Sequence, residues 1–132
     1  MQTGSCECGA VKFEVTGKLR PVVACHCTQC RKTSGHYWAA TQVENEQLNI
    51  TEDSGLKWFR SSNFARRGFC TGCGASLFWQ LDGEGATSIG AGTLDGKTDL
   101  KTEKHICCAD QGDYYDISDG LPQAADLDNS ND

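Results

Sequence analysis

Seven of the nine cysteines fall into three tight clusters, Cys6-Glu7-Cys8-Gly9, Cys25-His26-Cys27-Thr28-Gln29-Cys30 and Cys70-Thr71-Gly72-Cys73-Gly74. Seven sulfurs divide into four for a closed tetrahedral metal site and three for an open one. A closed zinc holds a fold together, whereas a three-ligand zinc keeps one position for a substrate. In an extended segment residues i and i+2 face the same way, so Cys6 and Cys8 can grip one ion with Glu7 turned aside. Cys70-x-x-Cys73-Gly74 has the form of a zinc knuckle, in which backbone N–H groups donate to the thiolates and Gly74 tolerates a positive φ. These two pairs make one quartet, Cys6, Cys8, Cys70 and Cys73, with an iron or disulfide site as its alternative. Cys25, Cys27 and Cys30 can bind a second ion from one side. His26 alternates away from its flanking cysteines and is read as packing or as support for the ligands. A second closed site completed by Cys107, Cys108 or His105 is the competing arrangement.

The elements that must carry these clusters read as short strands. Val11, Phe13 and Val15 alternate with Lys12, Glu14 and Thr16, the period of a half-buried strand. Pro21–Ala24 reads as a short buried strand leading into the second cluster. Further strands are expected at His36–Val43, Leu56–Ser61, Ser76–Leu81, Thr87–Gly92 and Lys104–Cys108, each bounded by turn-forming residues. The last of these carries Cys107 and Cys108, read mainly as core packing. Helical spacing is confined to a turn or two over Thr28–Ser34. Asp82-Gly83-Glu84-Gly85 has the composition of a hairpin turn. Trp38, Trp58, Phe59, Phe69, Phe78 and Trp79 are expected in the core, with one or two walling a pocket. Residues 1–123 read as one domain of mainly β, antiparallel architecture, and residues 124–132 as an acidic, disordered tail.

Apolar residues make up 38% of the chain, on the low side for a globular protein, which points to help from metal cross-links. The formal charge of −6 becomes more negative still once seven thiolates bind two divalent ions, so most of the surface repels nucleic acid phosphates. Any anion site needs a local basic patch, and Arg31-Lys32, Lys57 with Arg60, and Arg66-Arg67 are the candidates. No signal-peptide pattern opens the sequence, and no apolar run reaches the ~18 residues of a membrane span. A cytoplasmic location is therefore expected, where clustered cysteines bind metal or do chemistry more often than they form disulfides.

Three segments together resemble the family of glutathione-dependent formaldehyde-activating enzymes, to which the centromere protein V domain is related. They are Gly4-Ser5-Cys6-Glu7-Cys8-Gly9-Ala10-Val11-Lys12-Phe13-Glu14-Val15, then Cys25-His26-Cys27-Thr28-Gln29-Cys30-Arg31-Lys32, then Phe69-Cys70-Thr71-Gly72-Cys73-Gly74-Ala75-Ser76-Leu77-Phe78. The late Asp119-Gly120-Leu121-Pro122 fits as well. The resemblance implies an Mss4-like fold of small antiparallel sheets stapled by zinc. It implies a structural zinc on the first and third clusters, and a second zinc on Cys25, Cys27 and Cys30 associated with carbon–sulfur lyase chemistry. Two zinc ions per chain are expected, with partial occupancy allowed at the second. This chain departs from the family at Cys107-Cys108, where apolar or aromatic residues are frequent, and over Gln111–Asp116.

Two functions follow. In the first, an open zinc on the catalytic trio Cys25, Cys27 and Cys30 accepts a thiol, favours its thiolate, and supports addition to or release of a small aldehyde such as formaldehyde. Arg31 and Lys32 would attract the carboxylates of a glutathione-like thiol. The expected partners are then a small thiol and an aldehyde, with neither nucleic acid nor membrane, in a monomer or homodimer. The alternative is a zinc-stabilised binding module without turnover, since fold does not fix function.

Overall fold

The computed structural model describes residues 1–127, which fall into two compact units. The first comprises Met1–Arg20 and Thr41–Asp99, and the second Pro21–Ala40 together with the chain from Leu100 onward.

In the first unit, the alternation after Val11 becomes strand β2 (Lys12–Val15), with Phe13 and Val15 almost fully buried. It lies between β1 (Gln2–Ser5) and β5 (Leu48–Glu52), antiparallel to both, in a three-stranded sheet. Strand β4 (Trp38–Glu44) enters this unit at Thr41. From there the hydrogen-bonded order continues through β9 (Ala86–Gly90), β8 (Ser76–Leu81), β7 (Ala65–Cys70) and β6 (Leu56–Arg60). Val11, Leu77, Phe78 and Ile89 are fully buried, and Phe13 meets Phe78 edge-on at 5.3 Å between ring centroids. Each such side chain contributes roughly 1.5–3 kcal/mol by leaving water. Gly83 and Gly85 take positive φ in the β8–β9 turn, as the composition of that segment anticipates.

The second unit is built on β3 (Val22–Cys25), α1 (Thr28–Ser34), the start of β4 and β10 (Thr102–Ile106). β3 pairs antiparallel with β4, Val23 opposite Ala40 and Cys25 opposite Trp38. Its other edge pairs with β10 in parallel, His105 beside Ala24 and Ile106 beside Cys25. The purely antiparallel expectation is thus corrected to a mixed arrangement. The long connection between these two strands permits parallel pairing, and burial of β3 on both faces explains the unbroken apolar run Val22-Val23-Ala24. Helix α1 begins at Cys27, whose Sγ accepts from the Cys30 N–H at 3.2 Å, and ends at Gly35 with φ 84°.

Other expectations shift as well. Phe59 is 60% exposed rather than in the core, because β6 is an edge strand and its neighbour Trp58 is the residue that turns inward to Phe78. The late strand ends at Ile106 instead of reaching Cys108. Ala124, Ala125 and Asp126 make backbone hydrogen bonds to residues 105–109, and residues 128–132 of the expected tail lie outside the described residues. No helix among the described residues is long and apolar enough to cross a membrane.

Candidate functional site

The first and third clusters meet within the first unit. Cys6 follows β1, Cys8 sits in the β1–β2 turn, Cys70 ends β7, and Cys73 lies in the turn to β8. Residues 6–11 form a turn instead of the extended segment expected, closed by the Cys6 N–H donating to the Val11 carbonyl at 3.0 Å, with Gly9 at φ +83°. All four Sγ atoms lie within 4.8 Å of one another. Cys6 and Cys8 sulfurs are 3.8 Å apart, and those of Cys8 and Cys70 are 3.7 Å apart. A tetrahedral ion with metal–sulfur bonds of about 2.3 Å requires sulfur–sulfur edges of about 3.8 Å. The quartet therefore fits a closed zinc site in both donor chemistry and size. Val11 N–H donates to Cys6 Sγ and Gly72 N–H to Cys70 Sγ, each at 3.3 Å. N–H donation from Ala75 and then from Cys8 brings the Cys73 thiol down to about 6, a value that favours the thiolate.

One residue ties the two cysteine turns together. Gly55 donates its N–H to the Ala10 carbonyl at 3.0 Å and accepts from the Thr71 N–H at 2.8 Å. A side chain there would collide, since an added Cβ would stand 2.8 Å from both Cys70 Sγ and Ala10 Cβ.

The middle cluster lies within the second unit. Cys25 ends β3, Cys27 caps α1, and Cys30 is buried on the first turn of that helix. Their sulfurs also lie within 4.8 Å of one another, and no fourth Cys, His, Asp or Glu among the described residues joins them at that spacing. The three thiols fit one face of a zinc ion.

Sequence reasoning named no partner for His105, but the structure gives it two. Asp119 Oδ2 and His105 Nε2 are 2.8 Å apart, His105 Nδ1 and His26 Nε2 are 2.8 Å apart, and His26 Nδ1 meets the Tyr115 hydroxyl. Both imidazoles are buried. With both rings neutral, the carboxylate end fixes every proton in this chain. Asp119 can only accept, so His105 donates from Nε2 and accepts at Nδ1, His26 donates from Nε2, and Tyr115 donates to His26 Nδ1. His26 thus has no ring nitrogen left for a metal and instead clamps the backbone between Cys25 and Cys27. Burial, followed by the nearby His105 and His36, lowers the His26 pKa to about 4 against an opposing pull from Asp119. In the unfolded chain this ring takes a proton near pH 6.5, so its contribution to stability is full above that pH and is lost as pH falls toward 4. Ring-nitrogen NMR is expected to find His26 neutral at pH 5, and charging of His26 near pH 6.5 would contradict the assignment.

Cys107 departs from the core role expected of it. It is half-exposed, takes φ 56°, and its thiol hydrogen-bonds that of Cys25. That bond, more than the neighbouring Cys27, keeps Cys25 protonated. Cys108 starts a short helical turn, Cys108–Asp110.

Of the candidate basic patches, two are already engaged. Arg60 is ion-paired with Asp82, Arg66 lies 4.0 Å over the Trp58 ring, and Arg67 is buried. Arg31 and Lys32 lie on α1 directly after Cys30, with Lys32 exposed. Arg31 Nε is buried without a hydrogen-bond partner among the described residues.

The sequence profile described as glutathione-dependent formaldehyde-activating enzyme matches residues 1–110. An uncharacterized lyase of Schizosaccharomyces pombe is 26% identical over 116 residues, covering 87% of this chain and 84% of its own. A Halomonas elongata protein, provisionally named a glutathione-dependent formaldehyde-activating enzyme, is 33% identical over 92 residues, which are 60% of this chain and 55% of that protein. Among solved structures, a Rhodobacter sphaeroides protein superposes with a TM-score of 0.62 at 23% identity, over 74% of this chain and 91% of the other.

Proposed function

Since this chain belongs to the family of glutathione-dependent formaldehyde-activating enzymes, we propose that it is a zinc-dependent carbon–sulfur lyase. Its substrate is the adduct of a glutathione-like thiol with a small aldehyde such as formaldehyde. The quartet Cys6, Cys8, Cys70 and Cys73 holds a structural zinc, and Cys25, Cys27 and Cys30 hold a second. The single observation carrying this reading is the three-sulfur group, which no fourth potential ligand joins within 4.8 Å among the described residues.

Zinc held there would supply thiol activation, lowering the pKa of a substrate thiol and keeping its sulfur nucleophilic. In synthesis the thiolate sulfur bonds to the aldehyde carbon while the carbonyl oxygen takes a proton. In the lyase direction the carbon–sulfur bond breaks and that proton leaves. The chain's own residues place these partners. The Tyr115–His26–His105–Asp119 chain fixes the backbone and proton positions between two of the sulfurs. Arg31, whose Nε has no hydrogen-bond partner among the described residues, and the exposed Lys32 offer cations to the carboxylates of the thiol.

The test combines metal analysis with adduct kinetics. Purified protein is expected to carry two zinc ions per chain and to accelerate both formation and breakdown of S-hydroxymethylglutathione, followed by NMR. Cys27→Ser is expected to remove one ion and the acceleration together. Full metal content without acceleration would instead establish a zinc-stabilised binding module.

A further inference from the structure

A fourth thiol, that of Cys107, approaches the three-sulfur group at the end of β3 by way of Cys25. The parallel register of β10 brings Ile106 beside Cys25, so the next residue, Cys107, leaves the strand directly beyond that pair. It is pinned there from both sides: its N–H donates to the Asp126 carbonyl and its own carbonyl accepts from the Asp110 N–H, both at 3.1 Å. The pinning holds it at φ 56° and ψ 36°, a left-handed conformation that side chains other than Asn and Asp seldom adopt. Its thiol hydrogen-bonds Cys25 and lies close enough to Cys27 and Cys30 to act on both electrostatically. Yet Cys107 is not among the sulfurs that all lie within 4.8 Å of one another. It reaches the trio through Cys25, from a separate segment of the chain.

We propose that Cys107 is a displaceable fourth sulfur of the Cys25–Cys27–Cys30 centre, closing it at rest and giving way to the substrate thiol. This rests on the trio being the metal centre proposed above. The exchange is balanced and involves no redox change: an incoming thiol yields its proton as it arrives, Cys107 takes one up as it leaves, and the sulfur count stays at four. Like replaces like, so the exchange costs little in ligand strength. The three trio sulfurs share one β3–α1 segment, whereas Cys107 is held in a disfavoured backbone conformation and is the sulfur that yields. A resting centre with four thiolates is also shielded from water and from adventitious metals until a thiol arrives.

The 132-residue chain reconstituted with ¹¹³Cd²⁺, which favours the same thiolate ligands, tests this by NMR. Wild type is expected to give two resonances, both in the four-sulfur region. Cys107→Gly should move one of them to the three-sulfur region. Glycine accepts the left-handed φ, so this variant removes the sulfur without straining the fold. Cys107→Ser should give the same displacement, and Cys108→Ala none. Adding glutathione to wild type should leave both resonances in place while Cys107 becomes open to iodoacetamide, located by peptide mass mapping. A wild-type resonance already at the three-sulfur position, or one indifferent to loss of Cys107, overturns the proposal and leaves the trio as a metal centre. A single resonance for the whole protein overturns both readings.

Discussion

Cys70→Ser is expected to leave the chain unfolded or aggregated, whereas Cys27→Ser leaves it folded with one metal ion fewer. The contrast follows from what each sulfur supports. Cys70 is fully buried, ends β7, and stands 3.7 Å from Cys8, so it joins two turns that the sequence keeps far apart. Structural zinc sites of this kind bind with apparent free energies of about 10–16 kcal/mol in small domains, as large as the ~5–15 kcal/mol net stability of a typical fold. Cys27 caps a helix of seven residues whose loss leaves the sheets of the first unit intact. Circular dichroism with zinc content measured on the same preparations distinguishes the two variants. Equal unfolding by both would show that the trio is as structural as the quartet.

The second large effect is expected from residues that touch no metal. Asp119→Asn replaces an obligate acceptor with a group that can donate, which releases the tautomer of His105 and, through it, that of His26. His105→Ala breaks the same chain in the middle. Both substitutions are expected to lower metal retention at the trio, and lyase activity with it, by roughly 10–100-fold, the usual cost of losing a residue that orients the ligands. Tyr115→Phe, which removes only the terminal donor, should cost less. Chelator competition at fixed pH reads the metal term directly. Unaltered retention in Asp119→Asn would show that the hydrogen-bonded chain is packing alone.

The cysteine spacing and the period-two alternation were legible in the sequence because both are local. Thr28–Ser34 is helical over the expected bounds, and Ser76–Leu81 is a strand over its full expected length. What escaped was non-local or unpatterned. Strands β1 and β7 carry glycine and charged or polar residues where apolar ones would have announced them, and β5 is largely exposed. The apolar run Val22-Val23-Ala24 announces a buried strand, but nothing in it or in β10 shows that the two pair in parallel. His26 and His105 are 79 residues apart, and nothing adjacent to either predicts a hydrogen bond between them. A signal did exist: His26 directly follows the apolar run Val22-Val23-Ala24-Cys25 and His105 precedes Ile106, and a histidine buried there must find a polar partner. The late Asp119-Gly120-Leu121-Pro122, part of the family resemblance, contained that partner without showing it.

The order in which these groups occur along the chain also sets the order in which they can assemble during synthesis. All four quartet sulfurs have emerged from the ribosome once residue 73 is clear, so the first ion can be captured before the later segments of the chain are made. Cys25, Cys27 and Cys30 appear early too, but β10, His105, Cys107 and Asp119, which complete their surroundings, are made only after the quartet is whole. A nascent chain would thus have its quartet of sulfurs complete before the surroundings of the trio exist, and loading of the proposed second ion becomes a late, separately timed event.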